Sequence, residues 1–495
     1  MIQFKKQERG ELYPKTDPAI RKNVCNTFLV IAGICLLSLL SLIRADYLYK
    51  DDIGRLCGGY FSWEKSSRYL SNYLELLLST STKARELSPV SQGLAVLLLA
   101  GSCTILIRSF RKDKKIGWKD ITAVLPLALM PYFLECFSFK YDAPFMGLSV
   151  FFSVLPMLFT DQNRWRYIMV TFLCTLGVCT TYQSSTGVFP VVVMFMAYGM
   201  WSSGKRSMRM TLHFTGISAV GFLAGLAFYR IVLVKQMPDY SNAAELSSLK
   251  EMPGVIVKNI SIYYQTVYQD YAPFAFWLMA VLAVLGLIGM VTSSVRGKVL
   301  SLFMALTTVF LSGIMIHGIF TVIPDVNHIP RYMSAFGILP AMLCLQAVHG
   351  KYVRVAAKWL TPVLVWCFFV YAMIYGNALA EHGRYQANQM YQLVSDLDHL
   401  EVLQQDKDVK FWITGRMGYT PTVRVKNNIL IRKLLPSDNG RYMWTTYRLV
   451  NYYDLDNMSF AEEEPLPEED LPLLVDTAAY QIYGNDEYIW VQWQK

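Results

Sequence analysis

Long apolar segments alternate with short polar loops along most of the chain. A helix needs roughly 20 mostly apolar residues to cross a bilayer, because its backbone polar groups must bond within the segment. The eleven segments with this pattern are Val24–Ile43 and residues 91–107, 120–138, 143–159, 167–181, 186–201, 210–234, 273–294, 299–323, 332–349 and 359–379. The pattern predicts an α-helical polytopic membrane protein, with residues 24–380 as its transmembrane domain.

The composition agrees with this prediction. Of the 495 residues, 54% are hydrophobic and only 17% are charged, which is too apolar for a soluble protein of this length. The first segment lacks a small-residue cleavage site, so we expect a retained span and not a signal peptide. The net charge of +9 comes largely from loops that flank the spans, which indicates membrane topology and no nucleic-acid partner.

Basic residues gather in one alternate set of loops, and this bias marks the cytoplasmic side. The loops contain Lys5, Lys6, Arg9, Lys15, Arg21 and Lys22; residues 111–115; Arg164 and Arg166; Lys205 and Arg206; Arg296 and Lys298; and Lys351, Arg354 and Lys358. We therefore expect a cytoplasmic N-terminus over residues 1–23. The first outer loop (44–90), a second outer loop (235–272) and the C-terminal region (385–495) then lie outside the cytoplasm.

The C-terminal region has a different pattern. We predict a polar helix over 385–400 and strands at 409–415 and 429–431. Further apolar runs occur at 471–475 and 488–493, interrupted by acidic and turn residues. The acidic stretch 462–470 is typical of a solvated loop. Eight of the nine cysteines fall in predicted spans, so the sequence implies neither a disulfide nor a cysteine-rich metal site. Residues 385–495 are predicted to form a small extracytoplasmic α/β domain.

The first outer loop contains an amphipathic pattern. Leu70, Tyr73, Leu74 and Leu77 recur at helical spacing, while polar residues occupy the rest of the turn. Such a helix lies on the membrane surface or packs against other parts of the protein, and the pattern fits both equally.

Ionisable residues are sparse within the spans and dense at their outer ends. The clusters are Asp46, Asp51, Asp52 and Arg55; Glu135, Lys140 and Asp142; and His328 and Arg331. We predict that Asp51 caps a helix beginning at Asp52, so that Asp52 and Arg55 share one face. The two acids would then have different roles, one as general base and one as a binding group. The alternative is an ordinary helix cap with a surface ion pair.

Two further outer segments carry polar and aromatic groups. Residues 135–142 form a very short loop in which Phe137, Phe139 and Tyr141 alternate, which is typical of an interfacial belt and also suits a sugar ring. Residues 181–187 place Tyr182 and Gln183 at the next outer turn, where helix capping is the alternative explanation.

These segments together resemble a known family. The motifs, each short but shared in order and spacing, are Asp51–Arg55, Ser88–Gln92, Pro131–Glu135 with Phe139–Asp142, Thr181–Ser185 and Arg331–Gly337. The sequence resembles the Gtr type II glucosyltransferases over most of its length. The resemblance implies a C-type multispanning enzyme in the bacterial cytoplasmic (inner) membrane. Such an enzyme takes glucose from a polyprenyl-phosphate carrier such as undecaprenyl phosphate glucose, and attaches it to a surface polysaccharide such as the O-antigen of lipopolysaccharide.

The resemblance also assigns roles to residues. Asp52 or Asp51 would act as the general base, Asp142 matches the family's second outer acid, and the anomeric configuration would invert. Arg55, Lys140 and Arg331 are the candidates for the departing phosphate, although Lys140 stands where an arginine is expected. The other substrate-binding candidates are Arg68, Glu135, Tyr182, Gln183 and His328. A divalent cation, Mg²⁺ or Mn²⁺, shared by Asp52 and Asp142 is a further hypothesis.

Other functions stay open at this point. The expected partners are the lipid-linked donor, a lipid-linked or surface polysaccharide acceptor, membrane lipids, a donor-synthesising glycosyltransferase and a flippase. A transporter or flippase of lipid-linked saccharides would also have many spans, but it commonly shows repeated halves and polar sites near the midplane. A polysaccharide polymerase or ligase and a non-catalytic scaffold are further alternatives. Neither the acceptor linkage nor the donor hexose can be read from the residues.

Overall fold

The chain folds into a large helical body followed by a small sheet. The computed structural model describes residues 18–111, 114–234, 247–248, 250–400, 409–420, 429–436, 447–453, 455, 458–460 and 471–494. About 73% is helical, which confirms the predicted class of an α-helical protein with a small C-terminal sheet.

Seventeen α-helices are found within these residues. They are α1 Pro18–Ser38, α2 Leu40–Ala45, α3 Asp51–Gly58, α4 Tyr69–Ser79, α5 Val90–Phe110, α6 Trp118–Leu129, α7 Phe133–Ser138, α8 Ala143–Val154, α9 Arg164–Thr181, α10 Val188–Ser202, α11 Met208–Phe228, α12 Met252–Tyr271, α13 Phe276–Ser293, α14 Lys298–Met315, α15 Ile338–His349, α16 Arg354–Asp398 and α17 Ile429–Leu434. Short 3₁₀ helices extend several of them, at Trp63–Ser66, Leu155–Phe159, Gln183–Gly187, Gly318–Val322 and Pro330–Gly337.

Eight helical segments of the described chain are long and apolar enough to cross a membrane. They are Pro18–Ser38, Val90–Phe110, Gln183–Ser202, Met208–Leu233, Phe276–Ser293, Lys298–Met315, Pro330–His349 and Arg354–Asp398. These match eight of the eleven predicted spans. The predicted spans 120–138, 143–159 and 167–181 are helical, but these helices are not both long and apolar enough to cross a membrane. Residues 143–159 form a shorter apolar helix.

The predicted span 120–138 is interrupted. α6 ends at Leu129, and Met130 adopts an extended conformation with ψ 125°. Pro131 follows, and a proline disfavours helical geometry in the residue before it. The chain restarts as α7, which carries Glu135 into the protein interior. A continuous span was therefore the wrong prediction here, and the break positions a site residue.

The predicted loop 235–272 contains a long helix. α12 buries Asn259, Tyr263, Thr266, Val267 and Asp270, which recur at helical spacing along one face. Residues 235–246 and 249 lie outside the described part of the chain.

One helix joins the membrane body to the C-terminal region. The predicted span 359–379 and the predicted polar helix 385–400 are parts of the 45-residue α16. Met390, Leu393 and Leu397, near its end, pack on one face of a five-stranded sheet. The same helix thus contributes to both hydrophobic cores.

The sheet has the order β2-β1-β5-β4-β3. Its strands are β1 Val409–Thr414, β2 Met458–Phe460, β3 Leu473–Asp476, β4 Tyr480–Gly484 and β5 Tyr488–Trp493. β1 pairs in parallel with β2 and β5, and the remaining pairs are antiparallel. The strand predicted at 409–415 is confirmed as β1, and the apolar runs at 471–475 and 488–493 coincide with β3 and β5. The acidic stretch 462–470 lies outside the described residues.

The predicted strand at 429–431 is wrong, because these residues begin α17. Leu430, Ile431 and Leu434 are buried, a spacing that places them on one helical face. They join the hydrophobic core of the membrane body and not that of the sheet. A three-residue apolar run alone does not distinguish a strand from a buried helix.

The first-loop helix α4 turns its polar face inward. Ser71, Glu75 and Ser79 are buried at a spacing of four residues, whereas Tyr73 and Leu77 are largely exposed. This arrangement favours the interpretation of α4 as a surface helix whose apolar side faces lipid.

Candidate active site

Asp51 and Asp52 occupy the first turn of α3. The residue that precedes the helix is Lys50, with φ 46°, so Asp51 is the first helical residue and not the predicted cap. A non-glycine residue with positive φ needs support from its surroundings. Here the Lys50 Nζ pairs with Glu135 Oε1 at 2.6 Å, which ties the start of α3 to α7.

Asp52 is completely buried and connects two loops. Its Oδ2 accepts hydrogen bonds from the backbone N–H of Tyr49 at 3.1 Å and of Lys140 at 3.0 Å. Its Oδ1 has no hydrogen-bond partner among the described residues. Burial raises the pKa of Asp52 to about 8, although the two backbone donors and nearby Arg55 act in the opposite direction. Asp52 therefore holds the first outer loop against the loop that contains Lys140.

The raised pKa of Asp52 predicts a pH-dependent stability. The folded protein keeps a proton on Asp52 that the unfolded chain releases near pH 4, so this stabilisation is complete below that pH and is lost as the pH rises through about 8. Asp52→Asn imitates the protonated carboxyl. We expect its advantage in thermal unfolding temperature over the wild type to be larger at about pH 9 than at about pH 5. The same difference at both pH values would contradict a buried, protonated Asp52.

Arg55 and Asp142 form a buried ion pair. Arg55 Nη1 bonds to Asp142 Oδ2, and its guanidinium lies 4.3 Å from the centre of the Trp63 ring. The indole N–H of Trp63 donates to the other oxygen, Asp142 Oδ1, at 2.6 Å. Burial lowers the pKa of Arg55, but Asp142, Asp51 and Asp52 together raise it above its usual value. Arg55 and Asp142 therefore neutralise each other in the interior, and Arg55 does not form the surface ion pair with Asp52 that was the alternative explanation.

Lys140 is also neutralised by acids. Its Nζ pairs with Asp46 and, at 3.1 Å, with Glu86. Burial lowers the pKa of Lys140, and hydrogen bonds from its ammonium to these carboxylates raise it above the usual value. Neither Lys140 nor Arg55 is placed as an open phosphate ligand.

The aromatic residues of this loop lie in the interior. Phe137, Phe139 and Tyr141 are all at most 3% exposed, so the predicted interfacial belt is wrong. Phe139 packs edge-on against Tyr49, with ring centres 4.8 Å apart. The cause is the break before α7, which folds this segment into the protein.

Arg331 and Asp51 differ from these paired groups. The Arg331 guanidinium lies 5.1 Å from the Phe139 ring centre and 5.5 Å from that of Tyr332, and within the described residues it forms no ion pair. The Asp51 side chain is partly exposed and has no hydrogen bond or ion pair to a described residue. Asp51 interacts electrostatically with both Arg55 and Arg331, although Glu135 is the acid with the largest effect on Arg331.

Arg68, Tyr182 and Gln183 come together beside Arg331. Arg68 Nε donates to Gln183 Oε1 at 3.0 Å, and its guanidinium lies over the Tyr182 ring at 4.7 Å. The Tyr182 hydroxyl contacts the backbone oxygen of Arg331 at 3.4 Å. Glu135 Oε2 accepts from the Arg331 backbone N–H at 2.8 Å. Tyr182 and Glu135 thus contact Arg331, and Arg68 and Gln183 join this cluster through Tyr182.

His328 belongs to a different cluster. Its ring stacks on His317 with centres 5.0 Å apart, and its Nε2 lies 3.2 Å from the backbone oxygen of Asn259. The structure gives it no contact with the acids of α3.

A family model described as Glucosyl transferase GtrII matches residues 40–345, which is more than half of the chain. The protein belongs to the GtrII glucosyl transferase family. The matched range contains every site residue predicted from the sequence.

A distant relative of this GtrII family member is encoded by a phage. The uncharacterized 55.3 kDa protein in the gtrB 5′ region of Salmonella phage P22 is 23% identical over 244 residues, which cover 47% of this chain and 49% of the phage protein. The chain therefore matches about half the length of this curated relative. No solved structure matches the chain significantly.

The residues of this GtrII chain do not fit the predicted divalent cation. Both carboxylate oxygens of Asp142 are bonded to Arg55 and Trp63, and Asp52 is buried against backbone donors. Across the described residues, no three acid, histidine or cysteine side chains are grouped as metal ligands.

Two parts of the site were not predicted from the sequence. Glu75 is buried beside Arg55 and Asp142, and burial raises its pKa; the polar stripe of Ser71, Glu75 and Ser79 was the available signal. The second is the backbone oxygen of Leu434, which accepts from the Tyr49 hydroxyl at 2.6 Å. No local pattern indicates this contact, because the two residues are 385 positions apart.

Proposed function

We propose that the protein is a glucosyltransferase that moves glucose from a polyprenyl-phosphate carrier to a cell-surface polysaccharide such as O-antigen. Membership of the GtrII family supports glucosyl transfer. The observation that carries the rest is the arrangement of Asp51 and Arg331: an acid and a cation without ion-pair partners in the described chain, close together and partly exposed. The site lies in loops beside membrane-spanning helices, where a lipid-linked donor presents its phosphate.

Arg331 and Arg68 are the proposed phosphate ligands. Neither forms an ion pair with a described acid. The Arg68 guanidinium lies over the Tyr182 ring, and the Tyr182 hydroxyl donates to the backbone oxygen of Arg331. An anion placed there would gain charge-assisted hydrogen bonds from guanidinium groups, whose planar shape suits phosphate. Arg55 and Lys140, which the sequence suggested for this role, instead neutralise buried acids.

Asp51 is the proposed general base. Of the two acids in α3 it is the accessible one, since Asp52 is completely buried. The acceptor hydroxyl would give its proton to Asp51 while its oxygen bonds to the anomeric carbon. The bond from that carbon to the phosphate oxygen breaks, and its electron pair leaves with the polyprenyl phosphate beside Arg331. A single displacement of this kind inverts the anomeric configuration.

Asp52, Asp142 and Glu135 act as positioning residues in this proposal. Asp52 bonds to two backbone segments, Asp142 fixes Arg55 and Trp63, and Glu135 holds both Lys50 and the Arg331 backbone. Together they set the distance between Asp51 and Arg331. In this proposal none of the described residues has the role of a metal ligand.

We also propose a location and partners for the protein. The chain would reside in a bacterial cytoplasmic membrane with its N-terminus in the cytoplasm and its active site and C-terminal domain outside. It would depend on a glycosyltransferase that makes the donor and a flippase that delivers it to the outer surface.

Arg331→Gln should lower kcat/KM about ten- to hundred-fold, because a hydrogen bond to a charged group is lost as negative charge develops on the phosphate. Arg331→Lys should recover part of the loss, since it keeps the charge but not the fork geometry. Arg384→Gln, at an exposed cation of α16, is the matched control and should leave the rate unchanged. Equal rates for Arg331→Gln and the control would refute the phosphate role.

A vesicle experiment tests the function itself. The purified protein is reconstituted with polyprenyl-phosphate glucose, and two quantities are followed: glucose lost from the carrier and donor moved between leaflets. We expect glucose loss when an acceptor polysaccharide is supplied. Donor movement without glucose loss would replace the transferase with a transporter.

A further inference from the structure

An apolar groove lies beside the first-loop helix α4. Its volume is about 580 Å³, within the range of roughly 300–1,000 Å³ that small-molecule sites occupy. The lining residues come from α4, α8, α9 and the π-helical segment Tyr229–Leu233 that follows α11, and they include Tyr69, Phe152, Gly177, Thr180, Val232 and Leu233.

The groove depends on a small residue in α9. A Cβ at Gly177 would lie 2.7 Å from the Phe152 ring, so a larger residue at this position would displace the groove wall. Close packing of α11 on α9 brings Val232 and Leu233 to the opposite side. The walls are therefore formed by packed helices.

Polar and cationic groups adjoin the groove. Arg68 directly precedes the lining residue Tyr69. Gln183 accepts from Arg68 and donates to the Tyr229 hydroxyl, with Gln183 Nε2 2.8 Å from that hydroxyl. The hydroxyl of Tyr69 is buried and has no hydrogen-bond partner among the described residues. The apolar groove is thus next to a guanidinium that no described acid neutralises.

We propose that this groove binds the hydrocarbon chain of the polyprenyl-phosphate donor, with Arg68 at its phosphate. The inference rests on the proposed function and specifies where the donor lies. The apolar walls suit an isoprenoid chain, and the cation is complementary to a phosphate at the end of that chain. From Arg68 the contacts continue through the Tyr182 ring to Arg331. A donor anchored in the groove would therefore direct its sugar towards Asp51.

Thr180→Trp, which fills the groove, tests the binding of the chain. In nanodiscs, binding is measured for a long-chain polyprenyl phosphate and for a two-isoprene phosphate. We expect the variant to weaken long-chain binding about ten-fold or more and short-chain binding much less, because only the long chain loses buried apolar contact. Leu306→Trp, at an exposed apolar position of α14, is the matched control. Unchanged long-chain binding in Thr180→Trp would overturn the proposal.

Arg68→Gln tests the phosphate end. It should weaken binding of the long-chain phosphate but not of the uncharged polyprenol. Arg68→Lys should recover part of the lost affinity for the phosphate. An equal loss for both ligands would contradict the anchoring role. Phosphatidylglycerol competing as well as the polyprenyl phosphate would make the groove a general lipid site and overturn the assignment.

The two proposals fail separately. Selective polyprenyl-phosphate binding without glucose turnover would refute the transferase and leave the groove assigned. Turnover that is indifferent to Thr180→Trp would refute the groove and leave the transferase.

Discussion

Asp51→Asn should reduce kcat for glucose transfer about 10²–10⁴-fold, which is the usual contribution of a general base. The fold should survive, because Asp51 is partly exposed and bonds to no described side chain. Donor binding should change little, since the phosphate contacts belong to Arg331 and Arg68. The measurement is initial rate against donor concentration, which separates kcat from KM.

Two controls sharpen this prediction. Glu381→Gln removes an exposed acid of α16 and should retain full activity. Asp52→Asn removes the neighbouring buried acid but imitates its protonated form, so we expect a smaller loss than in Asp51→Asn. The reverse order of the two losses would make Asp52 the base.

The second large effect concerns stability. Arg55→Met should lower the free energy of unfolding by about 3–5 kcal/mol, because Asp142 would remain buried without its cation. The measurement is a denaturant titration of the purified protein in detergent. Arg384→Met, which breaks an exposed pair with Glu381, is the control and should have little effect.

The double variant Arg55→Met with Asp142→Leu completes the cycle. Replacing both charges by apolar groups removes the uncompensated carboxylate, so much of the lost stability should return. Activity should not return, since the loop positions depend on the pair. If Arg55→Met alone unfolded like the wild type, the ion pair would not hold these loops together.

The helical body could be predicted from hydrophobic pattern because long apolar runs have few alternatives. Eight predicted spans follow directly from such runs. The hydrophobic pattern gave wrong predictions where a proline interrupts an apolar run or where the run is too short to define its structure. Pro131 interrupts the span 120–138, and the short apolar run at residue 429 is helical because it packs in the membrane core.

The candidate site was predicted as a set of residues but not as a set of contacts. Asp52, Arg55, Lys140 and Asp142 were named from motifs, and the structure does bring them together. Their pairing joins positions 87 and 88 residues apart, which no local spacing encodes. Only these contacts separate the paired charges from Asp51, Arg68 and Arg331, which form no ion pair among the described residues.

The most direct test of the central claim is glucose transfer by the purified protein. Labelled polyprenyl-phosphate glucose is incubated with a lipid-linked polysaccharide acceptor, and the label on the acceptor is followed with time for the wild type and Asp51→Asn. We expect transfer by the wild type, with inversion of the anomeric configuration, and loss of transfer in the variant. Equal transfer by both proteins, or no transfer by the wild type with any hexose donor, would contradict the central claim.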